Sequence, residues 1–337
     1  MPTREQGLID WLSSQLEISA ENLKLSKLAD DASFRKYYRF THLGNSLVVM
    51  DADPKKEDSA KFIKIAKIFS KLGLNVPEIY AYNLELGYLV LMDLGDDLYL
   101  NKLSVDTVDK LYSDAMHTLQ KLYTFNNHAD IDFYNIEKVL SELKLFTDWF
   151  IDKYLKLELT AKEKNIIDET FNLLLMRFSE QPQVLVHRDF HSRNLLLTKE
   201  HNPGVIDFQD AVMGPITYDL VSLLKDCYID WPRHKVESWV ISFKNDLEKN
   251  NIIDAVSEEQ FLYWFDMTGL QRHLKCLGIF ARLEIRDGRE GYTQYYPRML
   301  VYIDEVLNMY PELNSFREFM HERIIAPMQE NIRQNIG

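Results

Sequence analysis

Apolar positions recur along the first part of the chain with two different periods. In residues 3–17, Leu8, Trp11, Leu12 and Leu16 fall three and four apart, which predicts an amphipathic helix. The segments KYYRFTHL (36–43) and NSLVVMDA (45–52) read instead as strands, joined through Gly44–Asn45 as a hairpin. Pro54, Glu57 and Asp58 open a helical stretch that Gly73 closes, and residues 75–95 read as two more strands around a turn. Residues 20–92 therefore predict a small antiparallel sheet with one helix against it.

The period changes after DLGDD (93–97). Helical spacing dominates at about 105–126, 136–158, 161–180, 217–227, 233–249, 258–279 and 296–325, and a strand-like patch at 183–207 interrupts it. The expected fold class is α+β with two lobes. A small β-rich lobe would cover 1–92 and a larger, mainly helical lobe 93–337.

Composition narrows the function classes. Of 337 residues, 46% are hydrophobic and 27% charged, which suits a globular protein with a substantial core. The formal charge of −13 disfavours non-specific binding to nucleic acid or an anionic membrane. The polar, charged N-terminal stretch has no apolar core of a secretory signal, and no apolar run approaches a bilayer's thickness. Cys227 and Cys276 are far apart in the chain and have no metal-like spacing. Together these predict a cytoplasmic protein with reduced thiols and neither a nucleic-acid nor a membrane partner.

The candidate chemistry lies in VLVHRDFHSRNLLLTKEHNPGVIDFQDA (184–211). The stretch HRDFHSRN is too polar to be buried idly between the apolar runs VLV and LLL, and PGVID delivers Asp207 at the end of a further strand. Adjacent hairpin strands are expected to hold Asp189, Asn194 and Asp207 at one sheet edge. Phosphoryl transfer needs such a set: a carboxylate to accept the attacking hydroxyl's proton, and hard oxygens for a divalent cation. Asp189 is the expected base, and Asn194 and Asp207 the expected magnesium ligands. The spacing H-R-D-x-x-x-x-N followed by Asp-Phe is the kinase catalytic pattern. The alternative of zinc on His187 and His191 lacks the adjacent Glu that chemistry uses; His187 is expected to brace the loop.

The run HRDFHSRNLLL…GVIDFQDAVMGPITYDLVSLL resembles the aminoglycoside phosphotransferase family, a small-molecule branch of the protein-kinase-like fold. DASFRKYYRF, VMDADPKKED, FQDAVMGPITYDLVSLLKDCYIDWPR and GLQRHLKCLGIFARLEIRDGREGY resemble in particular the cell-wall amino-sugar kinases. Those use ATP and magnesium to phosphorylate N-acetylmuramate and N-acetylglucosamine at the anomeric hydroxyl, upstream of a uridylyltransferase in peptidoglycan recycling. The residues themselves also favour a small substrate. His191 stands where protein kinases place a Lys, and only twelve residues separate Asp207 from Asp219, too few for a peptide-cradling segment. The resemblance implies that Asp219 anchors the catalytic loop.

For the nucleotide, the resemblance implies adenine contacts at the backbone of Met92, Asp93 and Leu94. Ser33, Phe34 and Arg35 would lie over the phosphates, although this loop has no glycine. Met50 occupies the position where kinases of the V-A-I-K type carry Lys, so either Arg35 or a later Lys supplies that charge or the phosphate site is weaker. For the sugar, Arg272, His273 and Lys275 form a local excess of positive charge suited to the lactyl carboxylate of N-acetylmuramate, with His191, Arg193 and Asp210 as further contacts. A polycationic aminoglycoside would prefer an acidic pocket. Kinases of an aminoglycoside, a choline-like amine or another small alcohol remain open, as does a non-catalytic, pseudokinase-like module.

Overall fold

The computed structural model describes residues 3–28 and 34–330. In chain order the elements are α1 (Arg4–Leu16), β1 (Ser26–Lys27), β2 (Lys36–His42), β3 (Asn45–Asp51), α2 (Ser59–Lys71), β4 (Ile79–Asn83) and β5 (Tyr88–Met92). Then come α3 (Tyr99–Lys102), α4 (Val108–Tyr123), α5 (Ile136–Leu145), a π-helical segment (Phe146–Tyr154), α6 (Ala161–Ser179), β6 (Gln183–Val186), β7 (Leu195–Leu196), β8 (Gly204–Val205) and β9 (Val212–Pro215). The last stretch carries α7 (Tyr218–Leu224), α8 (Arg233–Lys249), α9 (Glu258–Ile285), α10 (Tyr296–Met309) and α11 (Asn314–Met320). Packing divides the chain into two compact units. One contains the described residues up to Lys121 with Arg193–Ala211; the other contains Leu122–Ser192 with the described residues from Val212 on.

In the first unit, β1–β5 form one antiparallel sheet in the order β1-β2-β3-β5-β4. The hairpin between β2 and β3 turns through Leu43 and Gly44 at φ 48° and 81°, the doubly left-handed geometry that a tight hairpin needs. Alternation along β3 sends Leu47 and Val49 to the face covered by Leu8 and Leu12 of α1, where Phe40, Tyr88 and Val90 complete the core. Asp58 caps α2 by accepting the N–H groups of Ala60 and Lys61. The β7–β8 hairpin belongs to this unit because its backbone is tied into it. Leu197 N–H donates to Asp97 O at 2.7 Å and Val205 N–H to Asn75 O at 2.7 Å.

The second unit is built around α9, which is buried over most of its length and packs against α5, α6, α7, α8, α10 and the π-helical segment. Such an all-round buried helix is a core element, not a surface one. The strand-like patch departs from expectation. It does not form one sheet: β6 pairs with β9 in this unit, while β7 pairs with β8 in the other. The run Val212–Pro215, which lies beyond the expected strand patch, supplies the partner of β6. No helix among the described residues is long and apolar enough to cross a membrane.

Candidate active site

The division between the units falls inside HRDFHSRN, between Ser192 and Arg193, so each half of the motif has its own surroundings. In the first unit Asn194 precedes β7 and Asp207 follows β8. Their antiparallel pairing returns the two residues to each other. Ile206 N–H donates to Asn194 O at 3.1 Å, and Asn194 Nδ2 lies 3.5 Å from Asp207 Oδ2. Gln209 Nε2 donates to Asp207 Oδ1 at 2.8 Å. Asp207 sits at φ 61°, a left-handed conformation that a non-glycine residue keeps only where its surroundings impose it. The next residue, Phe208, is packed against Phe62 and Phe69 of α2 at 4.9 and 5.6 Å.

This set fits a hard divalent cation. It offers the Asp207 carboxylate and the Asn194 carboxamide oxygen. It also offers Gln209 Oε1, which is buried without a hydrogen-bond partner among the described residues. No group of three or more His, Cys, Asp or Glu among them is arranged to hold a metal. A cation here would rest on one carboxylate and amide oxygens and keep water, the habit of magnesium.

Of the phosphate-side residues, Ser33 lies outside the described residues. Phe34 is 64% exposed, with Lys56 Nζ 4.7 Å over its ring, and its N–H donates to Glu57 Oε1 at 3.2 Å. Arg35 is buried, forms an ion pair with Glu57 at 2.9 Å and lies over the Phe62 ring. Met50 is fully enclosed in β3 between Tyr37 and Leu89. A cation–carboxylate pair therefore exists beside the start of α2, with Arg35 as its cation. Met92 donates its N–H to Glu78 O at 2.8 Å. The Asp93 carboxylate is taken by Arg39 at 2.6 and 2.9 Å and by Ser46. Burial alone would raise that carboxyl, but Arg39 and Ser46 hold it below the usual range. Leu94 is half-buried, against the open backbone of Gly204.

In the second unit Asp219, at the start of α7, accepts the backbone N–H of His187 at 2.6 Å and of Arg188 at 2.9 Å. Burial pushes its carboxyl up to about 7 despite these donors, and the Asp189 charge adds to the rise. His187 is fully buried and accepts the Asp189 N–H on Nδ1 at 3.2 Å, so it braces the loop. Arg188 takes φ 79° and reaches Glu142 of α5 at 2.6 Å. Ser192 donates both its N–H and its hydroxyl to Asp226. Asp189 itself is half-buried. Burial would raise its carboxyl, but Lys275, then His191, Arg188 and Arg272, outweigh this and hold it at about 2.

The sugar-side residues fall into different settings. Arg272 is buried, electrostatically coupled to Asp189 and 3.9 Å from Cys227 Sγ. Lys275 is buried against Glu142 at 3.2 Å and donates to Tyr218 OH at 3.0 Å. His273 is 1% exposed, shares a hydrogen bond with Lys225 O at 2.9 Å and stacks on Tyr302. Burial holds its imidazole down at about 3, hence neutral. His191 packs its ring against Tyr228 at 5.4 Å. Arg193 and Asp210 are exposed in the first unit, Asp210 with Lys61 Nζ at 3.7 Å. The two cysteines, 49 residues apart, are brought together as buried thiols sharing a hydrogen bond.

Glu142 was missed by sequence reasoning. Its oxygens receive Arg188, Lys275 and the Tyr134 hydroxyl, and these cations keep its carboxyl low although burial pushes it up. A signal existed: Glu142 falls on the face of α5 that buries Val139 and Leu143, where a lone acid needs a partner. Glu57, the partner of Arg35, was noted only as an opener of α2.

Comparison with known proteins decides the family. The profile of the phosphotransferase enzyme family (APH) matches residues 24–257. The chain belongs to that family. It is 38% identical over 327 residues to the N-acetylmuramate/N-acetylglucosamine kinase of Pseudomonas putida, covering 95% of this chain and 96% of that one. It is 39% identical over 315 residues to the kinase of the same name from Neisseria meningitidis, covering 92% and 93%. The fold of this phosphotransferase matches the choline kinase of Streptococcus pneumoniae with a TM-score of 0.61, at 15% identity over 89% of this chain and 99% of that one. The expected α+β, protein-kinase-like fold is thus borne out.

Proposed function

We propose that this phosphotransferase moves the γ-phosphoryl group of ATP to the anomeric hydroxyl of N-acetylmuramate and N-acetylglucosamine. The observation that carries this is the near end-to-end match to two kinases named for those sugars, each at 38–39% identity. Asp189 is assigned as the base: at about 2 its carboxyl is ionised throughout the physiological range and can accept the hydroxyl proton. Asn194 and Asp207 are assigned to magnesium, which when bound neutralises charge on the phosphates. Arg35, fixed by Glu57, takes the role of the missing strand lysine, with Ser33 and Phe34 over the phosphates. The backbone of Met92, Asp93 and Leu94 takes the adenine. Of the sugar-side residues, His191, Arg193, Asp210 and Arg272 keep a substrate role. Lys275 and His273, satisfied inside their unit, are assigned to shaping the loop and its field. A cytoplasmic enzyme whose sugar 1-phosphate feeds a uridylyltransferase accords with this reading.

Incubation with ATP, magnesium and a panel of amino sugars, choline and an aminoglycoside tests it. A sugar 1-phosphate doublet in the phosphorus NMR spectrum is expected with the two N-acetyl sugars, and Asp189→Asn should bind nucleotide yet lose turnover. Phosphorylation of choline or the aminoglycoside alone would overturn the reading, as would parental turnover by Asp189→Asn.

A further inference from the structure

We propose that Arg282 is the cation that receives the carboxylate of an acidic amino sugar and so separates it from the neutral one; this rests on the amino-sugar reading above. Arg282 lies on α9 seven residues after Lys275, about two helical turns, and hence on the same face. Its charged neighbours are Arg286, Asp287 and Glu142. Both acids are already committed. Glu142 holds Arg188 at 2.6 Å and Lys275 at 3.2 Å, and Asp287 is gripped through both oxygens by Arg286 at 2.7 and 3.0 Å. Among the described residues no carboxylate lies within ion-pair distance of Arg282, and its Nε–H is buried without an acceptor. A guanidinium half removed from water normally finds a carboxylate, and a buried donor left unmade is costly. In a chain of net charge −13 acids are not scarce, so the spare charge calls for an anion from outside.

The neighbour Glu142 ties this position to the reacting end, because the same carboxylate holds Arg188, which adjoins Asp189 in the chain. N-acetylmuramate differs from N-acetylglucosamine by its lactyl carboxylate, the group Arg282 lacks.

The test compares kcat/KM for N-acetylmuramate and N-acetylglucosamine in the full-length parent, Arg282→Gln and Arg282→Lys, with thermal melting as the check on folding. The ratio of acidic to neutral sugar should fall by about 10- to 100-fold in Arg282→Gln, the size of one lost charge-assisted contact, mainly through KM. Arg282→Lys should recover part of it, and the lactyl amide of N-acetylmuramate should be indifferent to the substitution. An unchanged ratio, or an equal loss on both sugars, overturns the assignment of Arg282 while leaving the amino-sugar reading standing. A parent that phosphorylates neither sugar overturns that reading and this inference with it.

Discussion

Replacing Glu142 with Leu removes the carboxylate that Arg188 and Lys275 both contact inside the second unit. Both cations are largely enclosed and cannot turn to water, so the substitution strands two charges, not one. Breaking a buried pair by deleting one partner costs about 3–5 kcal/mol. For a unit of this size that corresponds to a fall in melting temperature on the order of 10 °C. Lys275→Met alone leaves Glu142 its bond to Arg188 and should cost less. In the double variant Lys275 is no longer there to be stranded, so the combined loss should fall short of the sum by about 1–3 kcal/mol. Urea unfolding followed by tryptophan fluorescence suits the measurement, because Trp149, Trp231, Trp239 and Trp264 all lie in this unit. A single-variant loss under about 1 kcal/mol, or additive losses in the double variant, would refute the idea that this carboxylate neutralises a buried cationic cluster.

Lys275→Met should also change the pH profile. Lys275 is the strongest of the cations holding Asp189 at about 2, so in the parent the acid limb of kcat/KM owes nothing to Asp189. Without Lys275 the carboxyl should rise and an acid limb should move up into the measured range; an unmoved limb would show that Lys275 does not set the charge of Asp189. The sign for stability follows. A depressed carboxyl stabilises the fold above its ordinary value of 3.8, and that contribution is lost as pH falls from there towards 2. The variant should therefore show a shallower acid loss over that window. Two glycines of α9 give a packing test. An added Cβ at Gly278 would stand 2.2 Å from Leu145 C and 2.6 Å from Phe146 N, so Gly278→Ala should cost about 1–3 kcal/mol by thermal or urea unfolding. At Gly269 the nearest atom is 3.8 Å away, and Gly269→Ala should be neutral or stabilising by up to about 1 kcal/mol.

The sheet of the first unit was legible because its signals are local. The alternation in β2 and β3 and the Gly44 turn are contained in sixteen residues, and the pairing follows from them. Most helices of the second unit were legible for the same reason, including the length of α6 behind its Thr160–Glu163 capping box, but the expected stretch 296–325 is broken at Pro311 into α10 and α11. The 183–207 patch was misread where information became non-local. β7 and β8 are two residues each and pair as expected, but β6 has a partner, β9, that contains Gly214 and Pro215 and shows no alternation. Close contact with Val186 and Tyr134 explains why Gly214 stands in that strand, and no pattern along the chain records it.

The same distinction governs the site. Motif spacing was enough to bring Asn194 and Asp207 together, because thirteen residues and one hairpin join them. It could not reveal the ion pair beside the start of α2. Arg35 and Glu57 are separated by β2 and β3, and they meet because the hairpin returns the chain to the start of α2. Nor could it distinguish Arg272, His273, Lys275 and Arg282 of α9 by task, since a helix face shows basic side chains but not their counter-charges. Only the positions of the acids separate them. Lys275 is met by Glu142, Arg272 has the Asp189 charge nearby, His273 is neutral, and Arg282 is left with charge to spare. A substrate contact is therefore better sought among charges whose partners the fold does not provide than among charges that merely cluster in the sequence.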